Sequence, residues 1–232
     1  MNLVLLPGMH GSSELFVDFA SALPPSFNTR VLSYPNDLRL SNPELLDLIR
    51  SFVPASEPFI LLAESFSTPL SIQFAAANPP NLKGLILCAG FATSPLRGVT
   101  RVLGRYLAPL LPFMPAGLAG AIMVSGSHAP DSILGRLRSA INSVRPAVLV
   151  NRAHSALTCD VLDDLRRVNV PALYLQAAHD RLVNPVCLEE MLRVKPDIEV
   201  ALLNGAHILL QIMPRQSAEV VATFARRLPT ME

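Results

Sequence analysis

The chain has 232 residues, half of them apolar and 16% charged, with a formal net charge of +1. That composition excludes a disordered chain and suits one well-buried domain, 1–232, carrying an insertion. No run of Lys or Arg exceeds two residues, so nucleic-acid binding has no electrostatic footprint.

Asn2 to Leu6 is a short apolar run, as expected of a strand buried on both faces of a parallel sheet. It ends in Pro7-Gly8-Met9-His10-Gly11, and serines 12 and 13 precede an amphipathic helix over 14–23. Thr29 to Tyr34 predicts a second strand. Ser41-Asn-Pro-Glu44 has the spelling of a capping box, and Leu45, Leu46, Ile49 and Phe52 follow at helical spacing. Phe59 to Ala63 is a third strand, with Ser65 two residues beyond it and a helix running to Asn78-Pro79-Pro80. Leu85 to Ala89 is a fourth. This alternation of strand and helix predicts a mostly parallel sheet with helices on both faces.

The alternation lapses over 93–169, which holds helical stretches at 143–157 and 160–168 and reads as a helical lid inserted into the domain. Within it, 106–124 is apolar enough to suggest a membrane segment. Pro109, Pro112 and Pro115, with Gly117 and Gly120, break the ~20-residue helix that a span needs. The sheet then resumes with a strand at 172–176, a helix at 186–194, a strand at 199–203 and a closing helix at 214–228.

The N-terminal apolar run has no basic start and breaks at Pro7-Gly8, unlike a signal peptide. Cys88, Cys159 and Cys187 show no metal-ligand spacing, and an odd count argues against a disulfide framework. Reduced thiols in a cytoplasmic protein are the simplest reading.

Ligands of open parallel sheets bind beyond the carboxyl ends of the strands. Three strand ends here carry Ser65, Asp180 and His207, in that order. Ala63-Glu-Ser65-Phe-Ser67 has the strand, tight turn and helix of a nucleophile elbow, with small residues where Gly-x-Ser-x-Gly has glycines. The elbow, the Asp180 turn, the His207 loop and the Pro7–Gly11 loop together resemble the α/β-hydrolase superfamily, close to its small bacterial carboxylesterase-like members.

The resemblance spans nearly the whole chain. It implies a minimal three-layer α/β/α sandwich without the usual opening antiparallel hairpin, and acyl transfer through a covalent serine intermediate. It also implies an oxyanion hole made by the backbone amides of Met9 and Phe66. In physical terms Ser65 needs His207 to take its proton, and Asp180 orients and stabilises the imidazolium.

The plainer readings are Ser65 as a helix N-cap, His207 as a satisfied core histidine, and Cys88 as buried core. Asp160, Asp163 and Asp164 read as solvated charges, and Glu64 as a group that bonds nearby backbone or alters the local field. His10 is expected to order its loop or face substrate. Phe113 and Met114 are expected substrate contacts among the apolar lid residues, whereas His128 and His154 carry no assigned role. The expected function is a carboxylesterase acting on small to medium esters with an apolar acyl or alcohol part, without metal or organic cofactor. The same triad would serve a thioesterase, lactonase, C–C bond hydrolase or perhydrolase, and a non-catalytic ligand-binding protein of this fold is the alternative outside enzymes. The oligomeric state leaves no trace in the sequence.

Overall fold

A computed structural model provides the structure of the chain and describes residues 1–98, 123 and 129–228. The strands are β1 (Asn2–Leu6), β2 (Asn28–Val31), β3 (Phe59–Glu64), β4 (Leu82–Cys88), β5 (Ala172–Ala177) and β6 (Glu199–Leu203). They form one six-stranded sheet in the order β2-β1-β3-β4-β5-β6, and every neighbouring pair is parallel. Between the strands, among the described residues, run α1 (Val17–Ala22), α2 (Asn42–Phe52), α3 (Ser67–Ala76), α4 (Asp131–Ser143), α5 (Pro146–Thr158), α6 (Leu162–Arg166), α7 (Val186–Val194), α8 (Leu209–Ile212) and α9 (Pro214–Arg226).

Strand alternation makes the three layers. Leu3 and Leu5 face a core built with Phe19 of α1 and with Val221 and Phe224 of α9. Val4 and Leu6 face the opposite core, shared with Ile49 of α2, Leu70 of α3 and Met191 of α7. Continuous apolar runs therefore serve both faces at once, the pattern of a sheet covered on both sides. The strand order reverses between β1 and β3. Their pairing, Leu6 against Ala63, sets the Pro7–Gly11 loop beside Ser65.

Several elements differ from their sequence expectation. The second strand ends at Val31, short of Tyr34, whose amide instead donates to the Gly11 carbonyl (2.9 Å). The helix expected from Glu14 begins as a 3-10 turn, Glu14–Phe16. The helix expected over 143–157 starts later, as α5 at Pro146, because the proline holds Arg145 in an extended conformation (ψ 137°); α4, which ends at Ser143, is additional to the expected helices. The helix expected over 160–168 shortens to Leu162–Arg166. Ser41 and Glu44 do meet at the start of α2, where the carboxylate accepts the Ser41 amide (2.7 Å) and hydroxyl (2.6 Å). No helix among the described residues is long and apolar enough to cross a membrane. Of the apolar stretch 106–124, only Met123 lies within them.

Candidate active site

Ser65 follows directly on β3 and has φ +49°, a left-handed conformation unusual for a residue with a side chain. Such a conformation costs about 1–3 kcal/mol and persists only where its surroundings over-determine it. Here the Ser65 amide donates to the Cys88 carbonyl (2.9 Å). Its own carbonyl accepts the amide (2.9 Å) and hydroxyl (2.7 Å) of Thr68. Ala63 and Ser67, which flank the turn where glycines are usual, are both fully buried. The Ser67 hydroxyl donates a short hydrogen bond to the Pro7 carbonyl. Having spent its only proton there, it accepts the Tyr34 hydroxyl at 2.7 Å.

The strained turn presents Ser65 Oγ to His207 Nε2 at 2.8 Å, and His207 Nδ1 lies 2.8 Å from Asp180 Oδ2. Asp180 Oδ1 accepts the amides of Leu182 (2.8 Å) and Val183 (3.0 Å), which lock the carboxylate in the turn after β5. An ionised carboxylate can only accept, so Nδ1 carries the imidazole proton and Nε2 is free to accept from Ser65. Burial alone would lower the His207 pKa. The charge and hydrogen bond of Asp180, with the nearby charge of Glu64, outweigh it and leave the imidazole above its ordinary value. Burial works to raise the Asp180 pKa, but His207 and the two amides hold it below the usual carboxylate range. The three side chains expected from three strand ends thus stand in one hydrogen-bonded line.

They open into a cavity of about 260 Å³ that is apolar apart from His10, Glu64, Ser65 and His207. Met9, Phe66, Phe91, Leu157, Val183 and Ile208 form part of its wall. Met123 and Ala153, from the segment expected to form the lid, also face it. Phe113, Met114 and His128 lie outside the described residues. The amides of Met9 and Phe66 meet no hydrogen-bond acceptor among the described residues.

His10 is buried, and its Nδ1 accepts the Ser12 amide at 3.0 Å, so it does order its loop. That bond puts the proton of the neutral ring on Nε2, which faces Glu64 Oε2 at 3.7 Å. Glu64 is 2% exposed and makes no hydrogen bond, so of the two roles expected for it only the electrostatic one stands. His179 is exposed and bonds Asn204 (2.8 Å), away from the triad. His154 is also exposed. Asp163 and Asp164 form ion pairs with Arg166 and Arg167 along α6. Cys88 is core, and burial pushes its thiol pKa well up, away from nucleophilic use. Among the described residues, no three or more His, Cys, Asp or Glu side chains cluster as metal ligands would.

Sequence reasoning missed Arg152, a 3% exposed side chain on α5. It donates from Nη1 to the Met9 carbonyl (2.8 Å) and from Nη2 to the Pro35 carbonyl (2.7 Å). Its guanidinium lies 5.5 Å from the centre of the Tyr34 ring. The available signal was periodicity, since Val148, Arg152 and Ala156 fall at i, i+4 and i+8 on one buried face.

Comparison with known proteins places the fold that carries this geometry. A family model described as serine aminopeptidase, S33, matches residues 42–210. No curated protein matches the sequence significantly. Among solved structures, a bromoperoxidase from Bacillus anthracis superposes with a TM-score of 0.83 at 12% identity, over 97% of this chain and 91% of that one. A thermophilic esterase from Thermogutta terrifontis gives 0.78 at 18% identity, over 98% and 90%. An enol-lactonase from Burkholderia xenovorans gives 0.77 at 14% identity, over 97% and 91%. At these identities the likeness is one of fold.

Proposed function

Since the chain belongs to the serine aminopeptidase S33 family of α/β-hydrolases, we propose that it is a serine hydrolase of carboxylic esters with an apolar acyl or alcohol part. The observation that carries this reading is the line Ser65–His207–Asp180, with two 2.8 Å contacts, at the floor of an apolar cavity.

In the proposed reaction His207 Nε2 takes the Ser65 proton as Oγ adds to the ester carbonyl. Asp180 stabilises the imidazolium that results. The amides of Met9 and Phe66 bind the oxyanion, a contribution of about 10²–10³ in rate per donor. The C–O bond then breaks, and His207 returns the proton to the departing alkoxide. Water repeats the sequence on the acyl-enzyme, giving the carboxylic acid and restoring Ser65. The inserted segment 93–169 acts as a lid over the acyl or alcohol group within the single domain 1–232. The apolar wall supports an ester over a highly polar substrate.

A second reading follows the family's own description, an aminopeptidase. One observation favours it: Glu64 is a buried carboxylate in the cavity wall without a hydrogen-bond partner, and the α-ammonium of a substrate would suit it.

A fluorophosphonate probe and a substrate panel test both. The expected result is labelling at Ser65 that disappears in Ser65→Ala. Hydrolysis of p-nitrophenyl esters should fall by about 10⁶ in kcat in that variant. Cleavage of aminoacyl p-nitroanilides with inert esters would favour the second reading. An unlabelled Ser65 in the folded protein would overturn both.

A further inference from the structure

The oxyanion loop has three successive carbonyls, each captured by a different donor. Pro7 O accepts the Ser67 hydroxyl, Gly8 O accepts the Gly11 amide (3.0 Å), and Met9 O accepts Arg152 Nη1 (2.8 Å). In a trans peptide the N–H points opposite to the preceding carbonyl. Holding Gly8 O on Gly11 therefore aims the Met9 N–H the other way, and holding Met9 O fixes the next peptide plane. Two of these donors belong to the sheet domain itself. The third comes from α5, roughly 140 residues further along the chain, within the inserted segment.

Arg152 is poorly explained as an ordinary structural charge. It is 3% exposed, and among the described residues no carboxylate pairs with it. A buried charge normally requires a partner. Its partners here are two carbonyl dipoles and the Tyr34 ring. Gly11 makes room for it: at φ +73° a Cβ there would lie 2.6 Å from Arg152 Nη1. Burial lowers the guanidinium pKa to about 10, which leaves the group cationic at neutral pH.

We propose that Arg152 is a positioning residue through which the inserted helical segment fixes the Met9–His10 peptide plane, and so braces from its far side the Met9 residue whose N–H, in the preceding plane, is aimed for anion binding. The inference rests on the hydrolase reading above, because it requires that the Met9 amide receive the oxyanion. Arg152 does not touch substrate; it acts through the loop. Docking of α5 and readiness of the oxyanion hole are then one event, so a displaced α5 leaves Ser65 and His207 in place but the hole unformed.

The test compares the wild type with Arg152→Met and Arg152→Lys on p-nitrophenyl butyrate, with rates normalised to sites labelled by fluorophosphonate. A trifluoromethyl ketone, which adds to the serine as a hemiketal anion, reports the hole directly. Arg152→Met should lower kcat by about 10–10² with KM within about threefold, because a donor is displaced rather than deleted. Affinity for the ketone should fall by a comparable factor. Arg152→Lys keeps one donor and should recover part of both. A folded Met variant with kcat within about twofold of wild type overturns the proposal, as does a loss confined to KM. If the Met variant does not fold, the Lys variant decides by the same criteria. Failure of both to fold assigns Arg152 to cohesion of the domain and also overturns the proposal. An unlabelled wild type overturns the hydrolase reading instead, so the two failures are distinguishable.

Discussion

Restoring the glycine that most nucleophile elbows have at position 67 should destabilise this protein. Ser67 is fully buried and gives its hydroxyl proton to the Pro7 carbonyl while accepting the Tyr34 hydroxyl. Ser67→Gly removes both bonds together. It strands a buried carbonyl and a phenol that is 4% exposed, each at about 1–3 kcal/mol. Glycine in the first turn of α3 adds up to about 1 kcal/mol. Water entering the space left by one hydroxymethyl group offsets part of this, so the net cost is about 2–4 kcal/mol. For a chain of this size that is a fall in Tm of roughly 5–15 °C. Urea unfolding and calorimetry measure it directly. Tyr34→Phe should cost only about 1 kcal/mol, since Ser67 still holds Pro7. The double variant should lose less than the sum of the two, because the stranded phenol is gone. A Ser67→Gly protein within about 0.5 kcal/mol of wild type would refute the reasoning, and with it the claim that serine is built into this elbow.

The remaining predictions concern the proton path. Because Asp180 and Glu64 leave the His207 pKa raised, and the base must be neutral to act, kcat/KM should rise with pH through a midpoint above the ordinary imidazole value of about 6.5. Glu64→Gln removes one of the two negative charges that raise this pKa, so the acid limb should move to lower pH; a shift to higher pH, or none, would contradict the electrostatic role of Glu64. Asp180→Asn should cost about 10³–10⁴ in kcat with little change in fold. The Leu182 and Val183 amides can only be met by the amide oxygen, which turns the NH₂ toward His207 Nδ1 and drives the imidazole proton to Nε2, where it blocks Ser65. A loss below tenfold in steady-state kinetics would mean that His207 does not depend on Asp180 for its tautomer.

Much of the fold is legible in the sequence because strands buried on both faces leave uninterrupted apolar runs. Glu199–Leu203 matches its expected bounds, and Asn2–Leu6 does likewise. The triad is legible for a related reason. Each member lies in the loop just past a strand's carboxyl end, after Glu64, Ala177 and Leu203, so placing the strands places Ser65, Asp180 and His207 at one edge of the sheet before any contact is known. The rest depends on information that residue types do not carry. The break between α4 and α5, which delays the helix expected from 143, lies in the backbone of Arg145, one residue ahead of Pro146. Glu64 gave no sign that it would be buried without a hydrogen bond, since the same residue one place from a turn is usually solvated.

The bonds of Ser67 and Arg152 share a deeper reason for being overlooked. A side chain that bonds another side chain leaves two chemically matched residues to find, as Ser65 and His207 do. Ser67 and Arg152 act on the carbonyls of Pro7, Met9 and Pro35, and a carbonyl is present at every position whatever the residue. Their specificity lies wholly in where the backbone goes. The glycines missing from the elbow illustrate it. From the sequence, Ser67 is a tolerated departure from Gly-x-Ser-x-Gly. In the folded chain its hydroxyl joins the elbow to the Pro7–Gly11 loop, so the Ser65 turn and the loop that carries Met9 are tied by one side chain. The departure at position 67 is thereby a compensated one, with Tyr34 filling the remaining lone pair and Arg152 lying against the Tyr34 ring. Substitution of Arg152, which bonds the Met9 carbonyl and no part of the elbow, should therefore be felt at Met9 before it is felt at Ser65.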